Sequence, residues 1–122
     1  MKMVPLFYAG DMAAALDFYT RRLDFELAPW DTADDVVVSL LRGEVELMLT
    51  GLATDQVARA SALLLVDDAD LLFERWTARG LDQSSFTDSP VHLGPVDQSW
   101  GTREFYVTDP AGNTLRIVQR PA

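Results

Sequence analysis

Side chains equipped for chemistry are few in this chain of 122 residues. His92 is its one histidine and the sole side chain that titrates near neutrality without a shift, so it reads either as a base or as an exposed loop residue. There is no cysteine, which excludes thiol nucleophiles, disulfide frameworks and cysteine-ligated zinc. No G-x-S-x-G elbow sets a serine against His92, so a hydrolytic triad has no support. What remains is the chemistry of binding. Trp100 precedes Gly101, and Trp30 stands beside Asp31, Asp34 and Asp35. Aromatic faces of this kind suit planar heteroaromatic or cationic ligands, although a tryptophan at a loop-strand junction can equally close a core.

Charge narrows the ligand class. Ten Lys and Arg against 19 Asp and Glu give a formal charge of -9, which disfavours nucleic acid because binding there depends on neutralising phosphates. Cationic partners are favoured, unless the acidic surface serves solubility alone. A composition of 48% apolar and 24% charged residues fits one globular domain. The longest apolar run, Ala62 to Val66, is far short of the ~20 residues a membrane span needs, and no signal-peptide pattern opens the chain. The expectation is a cytoplasmic protein that contacts neither membrane nor nucleic acid.

Two helices with a shared pattern must position these residues. Asp11 precedes a stripe of Met12, Ala15, Leu16 and Tyr19, with Arg21 and Arg22 near its end; Asp68 precedes Ala69, Leu72, Phe73 and Trp76, followed by Arg79 and Gly80. Each Asp can cap a helix and Gly80 can stop one. The second pattern repeats the first at a constant offset close to half the chain. Strand-like runs fall around both: Val4 to Tyr8, Phe25 to Trp30, Val36 to Leu41 and Val45 to Thr50 in the first half; Ser61 to Val66, a weak run near Ser84 to Thr87, Arg103 to Thr108 and Thr114 to Gln119 in the second. Asp88 to Gly101 reads as a long loop between the last half's first two post-helix strands. Arg42-Gly43 and Asp109-Pro110-Ala111-Gly112 signal hairpins.

The predicted fold is therefore α+β: two βαβββ modules, about 1–58 and 59–122, related by a pseudo-twofold repeat within a single domain spanning 1–122. Each carries a curved mixed sheet and one main helix. Strand parity sets Val45, Leu47 and Leu49 against Glu44, Glu46 and Met48, and Leu115 and Ile117 against Thr114, Arg116 and Val118. The apolar rows belong under the helices, the mixed rows on an open concave face. Parity alone leaves open whether Phe105 and Val107 or Tyr106 and Thr108 face that side.

The repeat, the Asp-Met-x-x-Ala-Leu-x-Phe-Tyr helix start and Asp109-Pro110-Ala111-Gly112-Asn113 resemble the vicinal-oxygen-chelate superfamily of glyoxalases, bleomycin resistance proteins and dihydroxybiphenyl dioxygenases. The nearest likeness is to bleomycin resistance proteins: Val4-Pro5-Leu6, Phe18-Tyr19-x-x-Arg22-Leu23-x-Phe25, Asp55-Gln56-Val57 and Trp100-Gly101-x-Arg103-Glu104-Phe105. The resemblance implies either a metal enzyme or a binding protein. The metal-ligand positions it indicates are Val4, Ser61 and Arg116, with Glu46 or Leu47 as the fourth and strand alternation favouring Glu46. Only Glu46 among Val, Ser, Arg and Glu is a good ligand, and one carboxylate does not make a site. The implied function is non-enzymatic, with neither metal nor cofactor: sequestration of a bulky cationic aromatic antibiotic of bleomycin type in a cleft between the protomers of a homodimer, and so antibiotic resistance. The alternative is a metal-dependent lyase or dioxygenase. Candidate ligand-binding residues are Trp100, Gly101, Trp30, Val37, Phe86, Glu46, Met48 and Arg116. Glu46 and Arg116 are expected to be equivalent in the repeat, either paired with each other or separately solvated.

Overall fold

The computed structural model describes residues 1–52 and 59–122; the Asp55-Gln56-Val57 motif lies outside the described residues. The first half runs β1 (Leu6–Tyr8), α1 (Met12–Asp17), β2 (Glu26–Leu27), β3 (Val37–Arg42) and β4 (Val45–Thr50). The second runs β5 (Ser61–Val66), α2 (Ala69–Ala78), α3 (Pro90–Leu93), β6 (Val96–Asp97), β7 (Arg103–Thr108) and β8 (Thr114–Gln119). Two four-stranded mixed sheets result, ordered β1-β4-β3-β2 and β5-β8-β7-β6, with the first-listed pair of each parallel and the others antiparallel. The α+β reading of two similar halves is thus met. The chain divides into two compact units, one of residues 1–60 with 109–113 and one of residues 61–108 with 114–122.

In the first unit, the Asp11 carboxylate accepts from the Ala14 amide at 3.2 Å and starts α1. The helix then widens into a π-turn over Phe18–Arg22, where the Thr20 hydroxyl donates to the Leu16 carbonyl at 2.6 Å. Ala15 and Tyr19 are buried on it, and Phe7, Val38, Leu40, Leu47 and Leu49 form the buried side of the sheet. The Asp-Pro-Ala-Gly-Asn turn belongs to this unit and is a structural knot. Asp109 accepts from the Tyr19 hydroxyl at 2.8 Å, from the Ala111 and Asn113 amides, and from the Asn113 side chain. Asn113 also donates to the Tyr8 carbonyl and accepts from the Ala60 amide. Burial and the neighbouring carboxylate hold the Tyr19 hydroxyl far above its ordinary pKa, so it stays a donor.

In the second unit Asp68 caps α2 through the Leu71 amide at 3.0 Å, and Gly80 follows its end. Trp76 and Phe73 of α2 meet Phe105 of β7 edge-on, at 5.8 and 5.2 Å between ring centroids. That settles the face parity left open: Phe105 and Val107 are buried, while Tyr106 and Thr108 lie on the open side. The strand expected near Ser84 to Thr87 does not form. The Asp82 carboxylate binds the Ser84 amide, and Phe86 and Ser89 donate back to the Gln83 and Phe86 carbonyls, so turn chemistry takes the segment. The first strand after α2 is instead β6, inside the stretch read as the loop Asp88 to Gly101.

Candidate functional site

Pairing register defines an open face on each sheet. In the first unit its rows are Leu6–Met48–Ser39 and Tyr8–Thr50–Val37; in the second they are Leu63–Arg116–Tyr106 and Leu65–Val118–Glu104. Glu46 and Met48 share a face, as parity predicted, but the residue matching Arg116 is Met48, not Glu46. The first hairpin turns over two residues and the second over five, and counting from the turn glycine therefore misaligns the strands. The Glu46 carboxylate accepts from Lys2 Nζ at 2.8 Å, and Arg116 Nη2 donates to Glu104 at 3.1 Å, each within its own unit.

The second unit's open face is built around Glu104. This carboxylate is 2% exposed and still fully engaged: Oε2 accepts from Trp100 Nε1 at 3.1 Å and from the Thr102 hydroxyl at 2.5 Å, and Oε1 accepts from Arg116. Burial pushes the Glu104 pKa up, but bonds from Thr102, Trp100 and Arg116 outweigh it and hold the group below the usual carboxylate range. Thr102 lies two residues before Glu104 and Arg116 pairs across from Tyr106, so strand geometry delivers both donors. Trp100 arrives from the β6–β7 turn, closed by Gly101 N–H to the Gln98 carbonyl at 3.0 Å. Gly101 has φ +99°, a conformation disfavoured for any other residue, so the glycine aims the indole. The Arg116 guanidinium lies over the Tyr106 ring at 4.8 Å. Beyond it His92 meets Tyr106 edge-on and stacks on Phe86 at 4.2 Å. Its Nδ1 and Nε2 lie 2.7 and 2.8 Å from the Ser89 and Thr108 hydroxyls. Burial lowers the His92 pKa below its ordinary value, favouring the neutral ring.

The structure therefore places Trp100, Gly101, Phe86 and Arg116 in one unit, with Trp100 and Arg116 joined through Glu104. Val37, Glu46 and Met48 share the other unit's open face, and Trp30 sits in the turn after β2, where Asp31 N–H meets the Ala28 carbonyl at 3.0 Å. Glu104, Tyr106 and His92 are the contributors that residue type alone did not single out as binding residues. The signal for Glu104 was the Trp-x-Thr-x-Glu spacing, which sets two donors near one carboxylate.

A divalent-metal site needs several oxygen, nitrogen or sulfur ligands. Val4, Ser61 and Arg116 offer no such set, and among the described residues no three His, Cys, Asp or Glu side chains cluster. The chain is thus a duplicated βαβββ fold that carries an aromatic side chain and a guanidinium on one open sheet face. Residues 4–117 match the family model of the glyoxalase/bleomycin resistance protein/dioxygenase superfamily, and the chain belongs to that superfamily. No functionally curated protein matches its sequence. Among solved structures it is similar to a bleomycin resistance determinant encoded on the transposon Tn5, with TM-score 0.76 and 24% identity over 100% of this chain and 99% of that one. It is also similar to the bleomycin-binding protein of bleomycin-producing Streptomyces verticillus complexed with copper(II)-bleomycin, with TM-score 0.73 and 27% identity over 100% and 96%. A lactoylglutathione lyase from Agrobacterium tumefaciens shares the fold, with TM-score 0.69 and 20% identity over 98% and 92%. No helix among the described residues is long and apolar enough to cross a membrane.

Proposed function

We propose that this protein is a non-enzymatic binder that sequesters a bulky, cationic, aromatic small molecule of bleomycin type, and acts as a homodimer with the ligand between protomers. The carrying observation is Trp100: the residue is 63% exposed although its indole N–H is anchored on a buried carboxylate, so it offers a held aromatic face. The formal charge of -9 supports a cationic ligand, since it attracts cations during encounter. Exposed Leu6, Leu63 and Leu65 on the open sheet faces support pairing of copies, which would cover them. Likeness to two proteins described by bleomycin resistance or binding supports the ligand class. A donor set containing Arg116 and Val4 speaks against a resident divalent metal.

Thermal unfolding with metal-free bleomycin tests the reading. Ligand at 100 times its dissociation constant should stabilise by ~2.7 kcal/mol, several degrees for this size. No shift at any soluble concentration, or near-stoichiometric zinc, nickel, iron or manganese in protein purified without chelator, would contradict it. Light scattering should give about twice 13.6 kDa.

A further inference from the structure

Each half presents one exposed tryptophan from a tight turn. Trp30 and Trp100 each occupy the third position of a tight turn, Ala28 to Asp31 and Gln98 to Gly101, three residues beyond a two-residue strand. They are equally exposed, at 64% and 63%. The strands ahead of these turns pair at different places, β2 with Leu40 and Leu41 of β3 and β6 with Arg103 and Glu104 of β7, so the comparison that holds is between matched positions of β3 and β7. Val38 pairs with Leu49 and Phe105 with Ile117, both buried, which makes Val37 and Glu104 the matching open-face positions just before them. The fold is thus built with valine at this place in one half, so the architecture does not require a carboxylate there. A buried carboxylate is costly unless donors satisfy it, and three do.

We infer that Glu104 is a positioning and selectivity residue: by holding the Trp100 indole on one oxygen and the Arg116 guanidinium on the other, it fixes an aromatic plane and cancels the charge beside it, so that this face takes planar cations in preference to planar anions. The inference rests on Trp100 being a ligand contact and adds which residue sets the preference for a cation. Glu104 acts through its neighbours, since at 2% exposure it presents almost no surface of its own. Arg116 has its guanidinium on Tyr106 and its ion pair with Glu104. Without the carboxylate the guanidinium becomes an uncompensated cation beside the exposed Leu63, a setting that would attract a planar anion.

Indole N–H resonances of wild-type protein and of Glu104→Val, which installs the other half's residue, test this. Hydrogen bonding to the carboxylate predicts wild-type Trp100 N–H exchange with water about tenfold slower than that of Trp30, with the difference abolished in the variant. Titration with N-methylquinolinium and 2-naphthalenesulfonate, planar probes of opposite charge, should show the ratio of their affinities moving about tenfold toward the anion in Glu104→Val. Equal exchange of the two indoles in wild-type protein overturns the positioning role, and it needs no variant to fold. An unchanged affinity ratio overturns the selectivity role; Glu104→Gln repeats that arm with an isosteric side chain should the valine variant unfold. If neither probe moves the wild-type Trp100 resonance, the ligand reading fails while the exchange rates still decide the positioning.

Discussion

The open faces of the two sheets are built to one register and carry different chemistry. Where the first unit has Met48, Ser39 and Val37, the second has Arg116, Tyr106 and Glu104. The first face carries Glu46, whose partner Lys2 comes from the chain ahead of β1, and Glu26 on the same row across Leu41. The second holds a carboxylate-centred network that ties a turn, two strands and an indole together. The scaffold therefore occurs twice with different side chains: one half presents Trp30 from a turn, the other a tryptophan hydrogen-bonded to a buried carboxylate. Function on such a fold is read from the residues at matched positions, because the backbone plan is common to both halves.

The largest expected difference between the halves lies in stability. Glu104→Ala should cost about 2 to 3 kcal/mol, since it strips the acceptor from Thr102, Trp100 and Arg116, whereas Val37→Ala, at a position 37% exposed, should cost below ~1 kcal/mol. Equal losses in chemical denaturation would erase the contrast. Because the folded Glu104 pKa is depressed, its stabilisation is complete above the usual carboxylate range and is lost as pH falls through the folded value. The next effect is His92, which has no counterpart in the first half. Its folded pKa lies below its ordinary value, so the unfolded chain takes up the proton first, and stability should fall as pH drops below about 6.5. His92→Gln should flatten that limb of the unfolding free energy between neutrality and the carboxylate range; an unchanged slope would place the titration elsewhere. The smallest effect is Glu46→Gln, whose exposed ion pair with Lys2 should contribute no more than ~1 kcal/mol. A larger loss would show that the first face carries a network of its own.

Much of this was legible in the residues. Asp11 and Asp68 marked both helix starts because a cap needs only a side-chain oxygen and a following helical run, and strand parity assigned Leu47, Leu49, Leu115 and Ile117 to the buried side because alternation is local. The Asp-Pro-Ala-Gly-Asn turn was recognised, but its role is to anchor Tyr19 and Tyr8, a long-range consequence that turn chemistry does not contain. The equivalence of Arg116 with Met48 was missed because two hairpins of unequal length shift the count by residues that no periodicity records. Glu104 stood only within the Trp-Gly-x-Arg-Glu-Phe motif, and its burial was not legible because its partners are Trp100 from the turn and Arg116 from the neighbouring strand. The segment Ser84 to Thr87 has strand-like residues too few to outcompete the Asp82 and Ser89 turns around it.

Isothermal titration of metal-free bleomycin into wild-type, Trp100→Ala and Trp30→Ala protein tests the central claim most directly. The account predicts binding at or below about 10 μM to the wild type, weakened by ~1 to 3 kcal/mol in Trp100→Ala on the scale of aromatic stacking, and a smaller loss in Trp30→Ala. No heat of binding at tens of micromolar, roughly the weakest useful affinity for sequestration, or equal losses in the two variants would contradict it.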